Sequence, residues 1–255
     1  MTTYDAYIIC TSPRSGSTLL TQLLRSSGVA GNPGTPFHKS SVVAWAKTKG
    51  VDVGPTVEQG ARVRAALDAA MKAGKGATGI FGMRLQRHSF GQFVADLRIA
   101  YPNEATDLAR IEAAFGRTLL LHLTRPDKLA QAVSMVRATQ TGLWHMTPDG
   151  REIERLAPPA DPVFDVKAIR AEMETSGAFD TGWRTWFDAE GIAPLEICYN
   201  ALSDDPIGIL RHILQVLGAD VTRAATVDVG VGKLADALSA EWITRFRMLE
   251  DRNGS

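Results

Sequence analysis

Residues 12–20 read SPRSGSTLL, and these nine positions bring together one Arg, three Ser, one Gly and one Thr. The planar guanidinium of Arg14 matches two oxygens of an oxyanion. Ser15, Ser17 and Thr18 add short hydroxyl donors, and Gly16 lets the backbone come close. If the stretch joins a strand to a helix, backbone N–H groups and the helix dipole also point at the anion, so phosphate or sulfate is the natural guest. The same string also serves as a Ser/Thr helix cap with an exposed Arg. It lacks the Gly-Lys-Ser/Thr ending with which a triphosphatase reaches its phosphates and magnesium, and no apolar strand ending in Asp follows to complete a magnesium site.

A second cluster, LHLTRPDKLAQAVS (121–134), puts Arg125 at the end of an apolar run and Ser134 one helix further on. Alone, TRPD is an ordinary strand end followed by a Pro-Asp helix start. Combined with the first loop it supplies a second anion site at the same sheet edge, suited to a ligand with two phosphates.

The elements around these residues follow from periodicity. AYIIC (6–10), ATGIFGMRL (77–85), TLLLHL (118–123) and LEICY (195–199) are short apolar runs of the kind buried parallel strands show. Leu19, Leu20, Leu23 and Leu24 have helical spacing with Gly28 as a stop, and Leu129, Val133 and Val136 form another helical face. Further helices are expected over 62–74, 104–115, 166–189, 206–219 and 239–251. Residues 29–56 read as a long, partly irregular connection, and Pro148, Pro158, Pro159 and Pro162 make 146–165 a surface loop. Strands alternating with helices predict one domain over 1–255, a three-layer, P-loop-like α/β fold with a mainly parallel sheet and ligands at its carboxyl edge.

Lys plus Arg and Asp plus Glu are both 28, so the net charge is zero and gives no bulk attraction to nucleic acid or an anionic membrane. The N-terminus MTTYDAYIIC has neither the basic start nor the apolar core of a secretory signal, and no apolar run approaches the roughly 20 residues of a bilayer span. Cys10 and Cys198 sit in strand-like runs and read as reduced core thiols of a cytoplasmic protein.

An RSGST loop followed by RPDxxxQAVS resembles the sulfotransferases that use 3′-phosphoadenosine 5′-phosphosulfate (PAPS), and among them the mycobacterial trehalose 2-sulfotransferases. The likeness runs in order through SPRSGSTLL, SGVAGNP, RPDKLAQAVS…RATQT, GWRTWF and SAEW. It implies sulfuryl transfer to a hydroxyl of a carbohydrate or other small polar acceptor, without a metal, and suggests a homodimer. Carried over, Arg14, Ser15, Gly16, Ser17 and Thr18 would hold the 5′-phosphosulfate, and Arg125 and Ser134 the 3′-phosphate. Lys233 stands where the relative has a basic residue near the nucleotide. Arg84 replaces a Lys of the relative and would neutralise the sulfuryl group or bind acceptor hydroxyls.

The likeness breaks at the general base. The relative places a Glu in a Pro-x-Glu-Phe-Phe context, whereas this chain reads NPGTPFH, with Thr35 at the Glu position. Threonine is no base near neutral pH. His38 is the nearest titratable replacement and His88 a second; His122, inside a strand, is expected to be a core residue. Trp183, Trp186 and Phe187, spaced i, i+3, i+4, are expected to pack in the core, while Trp45 and Trp144 could offer flat faces to a sugar. Other readings are a small-molecule kinase with an aberrant loop, and a non-catalytic nucleotide-binding protein with a sulfotransferase fold.

Overall fold

The computed structural model describes residues 3–38, 41–51, 54, 58–147, 149–229 and 236–253. Four strands, β1 (Ala6–Thr11), β2 (Phe81–Gln86), β3 (Thr118–Thr124) and β6 (Leu195–Cys198), form a parallel sheet in the order β2-β1-β3-β6. β1 is central: Ala6 registers with Phe81 on one side and Thr118 on the other. The chain leaves β1 in one direction to form β2 and returns past it to form β3, so the crevice between the ends of β1 and β3 is a topological switch point, where such sheets bind ligands.

The strands are apolar on both faces because helices cover both. Ile8, Cys10, Met83 and Leu85 face a layer made by α3 (Gln59–Lys75), α4 (Phe90–Ala100) and α7 (Val166–Glu190). Tyr7, Ile9, Leu121 and Leu123 face α1 (Ser17–Ser26) and α9 (Pro206–Leu217). A smaller cluster joins α6 (Lys128–Thr141) to α7 and to α10 (Ala237–Asn253) through Val133, Ile169, Trp242 and Phe246. The expected three-layer α/β architecture with a parallel sheet is therefore present. Trp183 and Phe187 are fully buried and Trp186 nearly so, as their spacing predicts. Trp183 also donates its Nε1–H to the carbonyl of Thr11 at 2.9 Å, which pins the carboxyl end of β1.

Several expectations are revised or refined. The 146–165 stretch is not all loop: β4 (Leu143–Met146) and β5 (Glu152–Arg155) pair as an antiparallel hairpin, and only the proline-rich part after it is irregular. The connection over 29–56 contains α2 (Val42–Lys47), capped by the Ser41 side chain accepting from the Ala44 N–H. β2 begins at Phe81 rather than 77, because Gly76 at φ 56 breaks the chain and the Thr78 hydroxyl ties down the following turn. A segment absent from the expectations, α8 (Tyr199–Asp204), follows β6 directly, and α5 (Asp107–Phe115) starts three residues later than expected, capped by Thr106. Cys10 and Cys198 are free. They lie two strands apart, roughly 10 Å at the usual strand spacing, beyond the ~7 Å reach of a disulfide.

Candidate active site

The loop after β1 closes on itself. The Ser15 hydroxyl donates to the Ser12 carbonyl at 2.8 Å and lies 2.5 Å from the Thr11 hydroxyl, both buried. Thr11 in turn donates to the Leu123 carbonyl at 2.9 Å, joining the loop to β3. Ser15 thus faces inward, and what it offers an anion is its main chain. Arg14 holds a left-handed backbone at φ 61, unusual for a residue other than glycine and found in functional loops. Gly16, at φ 89, is the N-cap of α1, and no side chain caps that helix, so its first N–H groups stay available to a ligand. A Cβ at Gly16 would meet the Tyr199 ring at 2.6 Å, so glycine is required there for packing as well as conformation.

Gln131 supports the outer side of the loop, donating to Ser12 Oγ at 3.0 Å and the Pro13 carbonyl at 2.6 Å. Lys128 orients Gln131 by donating to its Oε1 while pairing with Asp180. These are supports that the motif contained but the chemistry-first reading passed over.

Arg14 and Arg125 meet at the switch point. Arg125 donates to the Arg14 carbonyl at 3.2 Å, and its guanidinium stacks 4.4 Å over the Tyr199 ring. Its buried Nε has no hydrogen-bond partner. Arg14 donates Nε–H to Ser134 Oγ at 3.0 Å and Nη1–H to the Trp144 carbonyl at 2.6 Å. Neither arginine has a carboxylate within ion-pair distance among the described residues. Burial, with repulsion from Arg125, holds Arg14 down at about 10, and burial lowers Arg125 too. Two desolvated like charges with no carboxylate within ion-pair distance among the described residues favour an anion between them. Both line a cavity of about 180 Å³ with Gly16, Ser134 and Tyr199, which Ser239 and Ile243 of α10 help to close.

A larger cavity of about 550 Å³ opens beside it, sharing Arg14, Ser17, Thr18, Trp144 and His145. Arg84 lies in its wall, donating to Thr35 Oγ1 at 3.2 and 3.1 Å and to Thr18 Oγ1 at 3.1 Å. Burial lowers its pKa as well. Thr35 thus holds Arg84 through a hydroxyl. At the far end stand His38, His88, Glu172 and Phe179. The cavity walls, then the nearby His38, lower the pKa of His88, and burial raises that of Glu172. Trp144 lines both cavities, whereas Trp45 packs against the core beside α3. His122 is fully buried, its Nδ1 3.0 Å from Glu196 and its Nε2 without a partner. Lys233 lies outside the described residues.

Arg14, Gly16, Ser17, Thr18, Arg125 and Ser134 therefore converge on one crevice, with Arg84 and His38 in the adjoining cavity. Sequence reasoning missed Tyr199, Gln131, His145 and Glu154. His145 and Glu154 arrive on a hairpin whose four-residue strands carry too little alternation to be recognised.

This pairing of an uncapped helix N-terminus with arginines that have no carboxylate partner among the described residues agrees with the comparisons to known proteins. A trehalose 2-sulfotransferase of Mycolicibacterium smegmatis is 30% identical over 267 aligned positions, covering 98% of this chain and 97% of that protein. One from Mycobacterium tuberculosis is 29% identical, covering 97% and 96%. The Stf0 sulphotransferase model matches residues 6–249, from the first residue of β1 into α10, so that every element forming the two cavities falls within it; the chain belongs to the Stf0 sulphotransferase family.

Proposed function

We propose that the protein transfers a sulfuryl group from PAPS to a hydroxyl of a small polar acceptor, a sugar such as trehalose first among them. The observation that carries this reading is the Arg14–Arg125 pair: two guanidinia without ion-pair partners among the described residues, one at an uncapped helix N-terminus and one above the Tyr199 ring. That geometry suits a ligand with a phosphosulfate at one end and a phosphate at the other. The α1 N-terminus, Arg14 and the Ser17 and Thr18 hydroxyls would hold the phosphosulfate; Arg125 and Ser134 would hold the 3′-phosphate.

Transfer of this kind needs an acceptor oxygen in line with the sulfur and positive charge where the bridging oxygen leaves. Arg14 and Arg84 supply that charge from buried positions that cost no rearrangement during the reaction. The acceptor enters the larger cavity, where Glu172, His38 and His88 offer hydrogen bonds to a polyol and Phe179 and Trp144 offer ring faces. Its proton must go to a base facing the same cavity, where His38, His88 and His145 stand.

Calorimetric titration with adenosine 3′,5′-bisphosphate, run beside ATP with magnesium, tests the donor site. Binding of the bisphosphate alone is expected. Binding of ATP alone points to a kinase, and binding of neither overturns the two-phosphate site. Release of the bisphosphate from PAPS in the presence of trehalose then separates an enzyme from a protein that only binds the nucleotide.

A further inference from the structure

We propose that His145, oriented by Glu154, is the general base that takes the acceptor hydroxyl's proton, an assignment that rests on the sulfuryl-transfer reading above. The β4–β5 hairpin sets the two side chains side by side, with Glu154 Oε2 2.5 Å from His145 Nδ1. The other ring nitrogen, Nε2, lies 2.8 Å from Thr18 Oγ1 in the anion loop.

The protons can be assigned from the network. Arg84 can only donate, and it donates to Thr18 Oγ1. The single Thr18 proton is then directed at His145 Nε2, while the Glu154 carboxylate draws the ring proton to Nδ1. The lone pair of Nε2 consequently faces the place where the sulfuryl group is held. A base nitrogen on the reacting side and a carboxylate behind it, ready to stabilise the imidazolium, is the arrangement that proton abstraction from a hydroxyl requires.

Four groups face the ring: Thr18 from α1, Arg14 from the loop, Arg84 from β2 and Glu154 from β5. Burial lowers the ring's pKa; Glu154 opposes this while Arg14 and Arg84 reinforce it, and the net shift is downward. The imidazole is therefore neutral, and able to accept, at neutral pH. His38 lacks such support: it is exposed, and its ring makes no hydrogen bond among the described residues.

In the step itself an acceptor hydroxyl takes the place of Thr18 at Nε2. Its oxygen forms a bond to sulfur as the bond from sulfur to the bridging oxygen breaks. The electron pair leaves on the 5′-phosphate of adenosine 3′,5′-bisphosphate, and the proton goes to Nε2. Glu154 then faces an imidazolium.

The test follows bisphosphate release from PAPS with trehalose and, in parallel, with water as acceptor, in the wild type and in His145→Ala, Glu154→Gln and His38→Ala. Affinity for the bisphosphate, measured by calorimetry, reports folding and donor binding separately. His145→Ala should lower kcat about 100-fold, the low end for general-base catalysis, with bisphosphate affinity within about threefold of wild type. Glu154→Gln should lower kcat about tenfold. The wild-type acidic limb should lie below the ordinary histidine range, and Glu154→Gln, by removing the group that raises the ring's pKa, should move it lower still.

Unchanged kcat in His145→Ala, with the loss appearing in His38→Ala, would overturn the proposal. So would an equal loss of bisphosphate affinity and turnover, which would make His145 a support for Thr18 in donor binding. A wild type that binds the bisphosphate but releases none from PAPS with either acceptor also overturns the base, whereas a wild type that fails to bind it overturns the donor reading instead.

Discussion

Three arginines, Arg14, Arg84 and Arg125, point into the two cavities, and hydroxyls and carbonyls rather than carboxylates hold them there. Hydroxyls fix a guanidinium's direction without neutralising it, which leaves its charge for a ligand. Arg125→Ala should weaken binding of adenosine 3′,5′-bisphosphate about 10- to 100-fold, as expected for loss of about 1.5–3 kcal/mol in charge-assisted hydrogen bonds; calorimetry reads it directly. Arg84→Lys keeps the charge but loses the fork that spans Thr35 and Thr18. About a tenfold fall in kcat with unchanged bisphosphate affinity is expected, and an equal loss of affinity would move Arg84 into donor binding. At this scale Arg14, Gly16 and Arg125 are legible in sequence, because an anion site needs those types near a strand end. His145 is not, since nothing in LWHM announces that it will meet a Glu nine residues later across a hairpin.

Among the elements, the parallel strands were legible from their continuous apolar runs, and the helices from spacing and glycine stops. The β4–β5 hairpin was not, because β4 is half-buried, β5 mostly exposed, and Pro148 with the prolines after Arg155 suggest loop. Its start depends on Gly142, at φ 69, where a Cβ would lie 2.6 Å from the Ala157 carbonyl oxygen. Gly142→Ala should therefore shift the hairpin, lowering kcat at least tenfold and, through the Trp144 carbonyl that holds Arg14, weakening bisphosphate binding, while circular dichroism stays close to wild type; parallel assays of turnover and affinity check this. Trp183 belongs to the opposite class, a packing residue that also braces β1. Trp183→Ala should cost about 3–5 kcal/mol in urea unfolding, in the range for large buried aromatics, and reduce activity only through stability.

For the whole molecule, α10 is the element that reaches back over the smaller cavity, clasped to α6 by Arg137 and Asp236. The guanidinium holds Asp236 at about 2, below the ordinary carboxylate value of 3.8. A depressed carboxylate stabilises the fold above its unfolded pKa and loses that contribution as pH falls through the folded one. Stability from this clasp should thus decline between about pH 4 and 2, a decline that Arg137→Ala should blunt; urea midpoints across that range measure it. Donor binding should act in the other direction, adding about 2.7 kcal/mol at a bisphosphate concentration 100 times Kd. Arg14 gives that coupling a direction inside the site. Its one guanidinium is bound both to Ser134, in the smaller cavity, and to the Trp144 carbonyl, on the hairpin that lines both cavities. An anion that draws on the Nη1 donor should loosen its hold on the hairpin, which would couple binding in the two cavities. By reciprocity, whatever factor a ligand in one cavity imposes on affinity in the other is imposed in return.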